Sequence, residues 1–272
     1  MEQILSKVKH FFIKMQDILV TNLLYLLPCM FSWFYHLKIK RDIFRFQLVD
    51  PSGKKADLYQ HGKWKSGNRE ALVTLILHGL HAHPLLMLHL AEMAQKANMG
   101  PVYSLHVSYD EVNLDIHRSL LKKAIDLTEK LLSNTNDSLK GIVFVGHSMG
   151  AIEAAYRAFV ENDRRIISVI SIAGRLKFVE SINSPCRESL RDTLNKIIEG
   201  IQLQPNLPLY QIVGRHDWNA SLESTLIRKN VEYYHIVENA MHLNILFHKD
   251  MHKIFPEFLQ KSSKEVYNKT II

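Results

Sequence analysis

Apolar and polar positions along the chain fall into two alternating rhythms. Short runs rich in Val, Ile and Tyr recur at Ala71–Leu77, Val102–Val107, Gly141–Val145, Ile166–Ile172, Leu207–Val213 and Val231–Val237, and their length and composition predict strands buried on both faces. Between them, apolar residues return every three or four positions over Leu85–Ala97, Asp115–Leu132, Ala151–Val160 and Leu243–Leu259, the last with Pro256 near its end. That spacing is the period of an amphipathic helix. Ahead of the series, IFRFQLV at 43–49 alternates apolar with polar residues and meets the turn cluster Asp50-Pro51-Ser52-Gly53 before a short polar strand at 55–60. The expectation there is an antiparallel hairpin. Strand and helix in alternation imply the α/β class, with a mostly parallel sheet, helices on both faces and the hairpin at its antiparallel edge. Function is then expected beyond the carboxyl ends of the strands.

The first 41 residues break this rhythm. Ile18–Tyr35 carries no charge over 18 residues, which just reaches the length needed to cross a bilayer core. Asn22, Pro28 and Ser32 interrupt it, and Tyr25, Phe31, Trp33, Phe34 and Tyr35 suit a membrane interface. Residues 1–41 are therefore expected to form an apolar helix and candidate membrane anchor, the alternative being a helix packed on the fold. A cleaved signal fits less well, because the run starts late and lacks a small-residue cleavage site. Lys38, Lys40 and Arg41 would keep that flank, and the domain after it, on the cytoplasmic side; a protein dissolved in the cytoplasm is the alternative.

Net charge changes the picture little. The chain carries +7, which admits nucleic acid or an anionic membrane as a partner. Its densest basic group, Lys38, Lys40, Arg41 and Arg45, follows the apolar run and suits a lipid headgroup surface; no nucleic-acid motif accompanies it, so no nucleic-acid partner is expected. Two cysteines, Cys29 and Cys186, exclude a disulfide framework. At 272 residues the chain suits one large domain, expected over 42–262, with 263–272 as a C-terminal tail.

Within that domain, IVFVGHSMG (142–150) carries Gly146-His147-Ser148-Met149-Gly150, a Gly-x-Ser-x-Gly pattern directly after an expected strand and before the helix-forming run AIEAAYRAF. Such a serine sits on a tight turn that pushes its hydroxyl out of the sheet, while glycines two positions to either side leave room for strand and helix to approach. Ser148 is thus the candidate nucleophile. The competing reading is a plain helix N-cap, which a capping box would support with Glu or Gln at 151, where Ala151 stands.

A serine hydroxyl needs a histidine to take its proton, and the histidine needs a carboxylate to fix its tautomer. The strand LPLYQIV is followed at once by Gly214-Arg215-His216-Asp217, and VEYYHIV by Glu238-Asn239-Ala240-Met241-His242, 25 residues beyond Asp217. The order Ser148, Asp217, His242 matches acid before base. Asp217 could instead cap a helix near Ser221, and Glu238 is the reserve acid; Asp110 also follows a strand. His235, His248 and His252 are placed less well than His242. At the other edge of the site LILHGLHAHP turns through His78-Gly79, and the backbone N–H groups of Leu80 and Met149 are the candidate oxyanion donors. His78, His81, His83 and His89 also invite a metal reading, but no cysteine or Asp-His continuation completes it, so neither metal nor cofactor is expected.

Through LILHGL, VGHSMGA, GRHDW and the strand-loop-His242 element, residues 43–260 resemble the α/β-hydrolase fold family, in particular its lipase- and esterase-like serine hydrolases. The resemblance implies an eight-stranded sheet, a Ser148-His242-Asp217 triad and two-step hydrolysis through an acyl-enzyme. Met241 stands where many relatives have Gly. The family places its cap where this chain has the segment 174–206, in which Leu190, Leu194, Ile197, Ile198 and Ile201 fall at helical spacing. That face could pack on the core or act as a lid over acyl chains. The expected function is hydrolysis of a carboxylic ester, of lipid or another apolar acyl group. A thioesterase, peptidase or acyltransferase on the same residues, or a non-catalytic binding module, are the alternatives.

Overall fold

A computed structural model describes residues 43–64, 70–79, 84–107, 114–179, 187–227 and 233–269. The expected apolar helix at 1–41, and with it the candidate anchor, lies outside these residues. Among the described residues no helix is long and apolar enough to cross a membrane.

Eight strands form one sheet: β1 Ile43–Val49, β2 Lys55–His61, β3 Glu70–Leu77, β4 Val102–Val107, β5 Ser138–His147, β6 Ile166–Ile172, β7 Leu209–Gly214 and β8 Tyr234–Val237. Their spatial order is β1-β2-β4-β3-β5-β6-β7-β8. The hairpin β1–β2 sits at one edge and β2 pairs antiparallel with β4, while every later pairing is parallel. The turn between β1 and β2 is closed by Asp50, whose Oδ1 accepts from the Lys54 N–H at 2.7 Å, the competing local hydrogen bond that makes Asp a turn former. β5 lies in the middle of the parallel part, and its carboxyl end delivers Ser148 at the level where β7 and β8 end.

Successive side chains of a strand point to opposite faces, and each face has its own core. Val73, Leu75, Leu77, Ile142 and Phe144 pack on one side with α2 (Leu114–Ser133), α3 (Met149–Ala155) and α4 (Arg187–Leu203). Ile76, Val143, Val145, Ile170 and Ile212 pack on the other with α1 (Leu88–Ala97) and the final helix, which follows the short α5 (Leu222–Thr225) and is α6 (Met251–Lys269). These strands are buried on both sides, which is why they read as continuous apolar runs rather than alternating ones.

Most of the apolar stripe of α4 faces the core. Leu194, Ile197 and Ile201 are buried, each contributing about 2–3 kcal/mol of transfer free energy. Gly200 lets the helix come close: a Cβ there would lie 2.3 Å from the Phe159 carbonyl oxygen. The described part of the 174–206 segment therefore packs on the fold rather than presenting a free apolar face.

Two helical expectations differ from the structure. The run Leu243–Leu259 is split into a 3-10 turn, Asn244–Phe247, and α6, because His248 is extended (φ −67°, ψ 142°) between them. α6 then continues through Pro256 to Lys269, past the expected start of the tail at 263. Phe255, Phe258, Leu259 and Ser262 continue the buried face at helical spacing, and Ser262 spends its hydroxyl on the Phe258 carbonyl at 2.9 Å.

Candidate active site

β5 ends at His147 and α3 begins at Met149, so Ser148 has to make the whole turn alone. It does so at φ 53°, ψ −118°, a conformation that L side chains rarely adopt and that persists only where the surroundings enforce it. The two glycines supply that enforcement. A Cβ on Gly146 would lie 2.4 Å from Ala151 Cα, and one on Gly150 would lie 2.5 Å from the Leu77 carbonyl oxygen. Neither backbone could yield without moving a strand. Ser148 does not cap α3 with its side chain, so the N-cap alternative falls away.

Its hydroxyl instead meets His242. Ser148 Oγ lies 2.8 Å from His242 Nε2, and His242 Nδ1 lies 2.9 Å from Asp217 Oδ2. A carboxylate only accepts, so Nδ1 carries the proton and donates, which leaves Nε2 with a lone pair facing the serine O–H. The Asp217 side chain is fully buried and that of His242 is 12% exposed. Buried in this way, the pair is shielded from competing water. Asp217 uses its other oxygen on its own loop: Oδ1 accepts from the N–H groups of Asn219 and Ala220 at 2.9 and 2.8 Å. The helix-capping alternative for Asp217 is taken by Ser221, whose hydroxyl accepts from the Ser224 N–H at the start of α5.

The two loops that carry Asp217 and His242 are laced together. The His216 N–H donates to the Ala240 carbonyl and the Arg215 N–H to the Val237 carbonyl, both at 3.0 Å. Gly214 permits this crossing, since a Cβ there would lie 2.6 Å from the Ala240 oxygen. Met241, buried at 2% exposure, donates its N–H to Asn244 Oδ1 at 2.6 Å, so the loop is pinned without glycine at 241. Asp217, His242 and Ser148 thus converge from three loops at the carboxyl ends of β7, β8 and β5.

The rest of the expected constellation is placed as follows. Met149 opens α3, where the first N–H groups have no partner inside the helix. Leu80 lies outside the described residues, but the turn leading to it does not: a Cβ on Gly79 would come 2.9 Å from Ser148 Cβ. His78 is buried, accepts from the Val107 N–H at 3.3 Å through Nε2 and donates through Nδ1 to the Gly79 carbonyl at 2.8 Å. Glu238, the reserve acid, is exposed and paired with Arg215 at 2.7 Å. His235 and His248 face Asp250 at 4.0 and 3.6 Å, and His252 lies beside His89. His81, His83 and Asp110 lie outside the described residues, and among those that are described no group of three His, Cys, Asp or Glu side chains could hold a metal ion.

No protein-family model and no curated protein sequence matches the chain. Solved structures do. Est1E from Butyrivibrio proteoclasticus superposes with a TM-score of 0.58 at 14% identity, covering 81% of this chain and 99% of that one. A hyperthermophilic esterase from Pyrobaculum calidifontis gives 0.60 at 12% identity over 94% and 97%, and the Pyrococcus furiosus esterase Pf2001 gives 0.56 at 14% over 81% and 92%. The chain has the α/β-hydrolase fold. At these identities the likeness is one of architecture, and the esterase activity in those names belongs to those proteins.

Two contacts of this site have no signature in the sequence. One is Asn244, whose Oδ1 accepts from the Met241 N–H on the His242 loop. The other is His147, whose Nε2 lies 2.7 Å from the His242 carbonyl oxygen.

Proposed function

We propose that the chain is a serine hydrolase that cleaves carboxylic esters of apolar acyl groups through an acyl-enzyme. The observation that carries this reading is the unbroken hydrogen-bonded line from Ser148 Oγ through His242 to Asp217, with the serine on a strained turn. In the first step His242 Nε2 takes the hydroxyl proton as Oγ attacks the ester carbon. The tetrahedral oxyanion is held by the backbone N–H groups of Met149 and Leu80. Collapse expels the alcohol, which leaves with the proton from Nε2. In the second step the same nitrogen takes a proton from water, the hydroxide attacks the acyl carbon, and Ser148 recovers its proton as the acid departs.

Two large apolar side chains on the loops that carry Asp217 and His242 are exposed. Trp218 follows Asp217 and is 44% exposed, and Phe247, on the turn after His242, is 50% exposed. They favour an apolar substrate. The buried stripe of α4 lends that preference no support. The esterases named above, sharing the architecture, favour ester over amide or thioester as the bond cleaved.

The experiment is covalent labelling with a fluorophosphonate probe. The protein should label stoichiometrically and turn over p-nitrophenyl butyrate, and Ser148→Ala should do neither. Equal labelling of the two would refute the assignment.

A further inference from the structure

We propose that His147 is a positioning residue for the base: through Nε2 it anchors the main chain of His242, while Asp217 anchors the ring of the same residue. This rests on the hydrolase reading given above for Ser148 and His242.

The geometry is specific. The His147 imidazole is buried, and its Nε2 sits 2.7 Å from the His242 carbonyl oxygen. A carbonyl accepts and cannot donate, so Nε2 must carry hydrogen. His147 is thereby held in the Nε2–H tautomer, and its Nδ1 has no hydrogen-bond partner. The two rings lie 5.0 Å apart, tilted by 47°. On its other side the His147 ring meets the His78–Gly79 turn: a Cβ on Gly79 would come 3.1 Å from Nδ1. One side chain, directly before the nucleophile, thus touches the base loop and the turn that leads to the second oxyanion donor.

The base therefore has two anchors at opposite ends. The Asp217 carboxylate sets the rotation of the imidazole. The bond from His147 sets where the backbone of His242 lies relative to β5, and hence the distance from Nε2 to Oγ. Catalysis is sensitive to that distance, because a misplacement of about 1 Å costs about 10²-fold. Burial, and then the neighbouring His242, hold the His147 ring far below its ordinary protonation range, to about 3. His147 therefore stays neutral and does not oppose the positive charge that His242 acquires in turnover.

Three variants separate positioning from packing. His147→Phe keeps a ring and removes the donor; His147→Asn keeps an amide that is too short to reach; His147→Gln places an amide N–H at about the reach of Nε2. With p-nitrophenyl butyrate, Phe and Asn should lower kcat about tenfold, the effect that one lost hydrogen bond supports, with KM nearly unchanged. Gln should recover most of kcat. Wild-type kcat in the Phe or Asn variant, a Gln variant as slow as Asn, or a change confined to KM would each overturn the inference. Circular dichroism reports folding, and if Phe does not fold the Asn and Gln pair decides. Should Ser148→Ala label like wild type, the hydrolase reading fails separately, and ¹⁵N spectra of the imidazoles then decide: a protonated Nε2 on His147 supports the anchor and a protonated Nδ1 refutes it.

Discussion

Replacing Glu153 by glutamine should make the protein gain stability over its parent as the pH rises from 5 to 8. Glu153 lies on α3, only 4% exposed, and neither carboxylate oxygen has a hydrogen-bond partner. Burial raises its carboxyl from 4.5 to about 8; the Arg118 guanidinium opposes the rise, and Glu161 and Asp115 add to it. Arg118 itself is engaged elsewhere, stacked 3.5 Å over the Tyr156 ring and donating to Thr193 on α4. A carboxyl whose folded pKa is raised keeps its proton in the native state after the unfolded chain has lost it. Its contribution is therefore fully present below pH 4.5 and is lost as the pH climbs towards 8. One unit corresponds to about 1.4 kcal/mol, so between pH 5 and 8 the parent loses on the order of 3 kcal/mol through this one group. Glutamine has nearly the same shape and no titration, and all other groups cancel when variant and parent are compared. Urea unfolding at pH 5, 6, 7 and 8, followed by circular dichroism and extrapolated linearly, measures the difference. The gap between Glu153→Gln and parent should widen steadily with pH. A flat gap would refute the burial argument, and a narrowing one would refute its sign.

Two further substitutions examine the site and the cap segment. Asp217→Asn can keep its oxygen on the Asn219 and Ala220 N–H groups, but it turns an N–H₂ towards His242 Nδ1, which forces the proton onto Nε2 and removes the base; kcat should fall on the order of 10⁴-fold. Steady-state hydrolysis of p-nitrophenyl butyrate is the readout, and a loss under about tenfold would mean that Asp217 does not set the tautomer. Ile197→Ala, at a fully buried position of α4, should cost about 2–5 kcal/mol in urea unfolding. A cost near zero would mean that α4 stands away from the core as a lid.

Much of the architecture was legible because it rests on local rules. The parallel strands are apolar on both sides, so β3, β4, β5 and β6 announce themselves to within a few residues. The turn at Ser148 is equally local: glycine at 146 and 150 is required by backbone atoms within a few ångström, and a strand and a helix adjoin it in sequence. The final helix was less legible. Its start depends on His248 adopting an extended conformation, and its continuation past Leu259 depends on a surface of the sheet that the chain reaches only when folded. Whether the α4 stripe was lid or core could not be read from periodicity either, since an apolar face looks the same whatever covers it.

His147 and Glu153 mark where sequence reading stops for a physical reason. In Gly-x-Ser-x-Gly the turn constrains the glycines and the serine, and leaves the x position undetermined; nothing in the pattern says that the residue before the serine has a partner. That partner is moreover a backbone carbonyl 95 residues away, and every residue has a carbonyl, so no residue type betrays it. Glu153 reads as a polar residue in AIEAAYRAF and would ordinarily be placed on the solvent side. It is buried instead, with Arg118 of α2 as its nearest opposing charge. Each of these two groups is defined by what surrounds it rather than by what it is. Both become visible only in the packing around β5 and its flanking helix: His147 through the His242 carbonyl, and Glu153 through its burial without a hydrogen-bond partner.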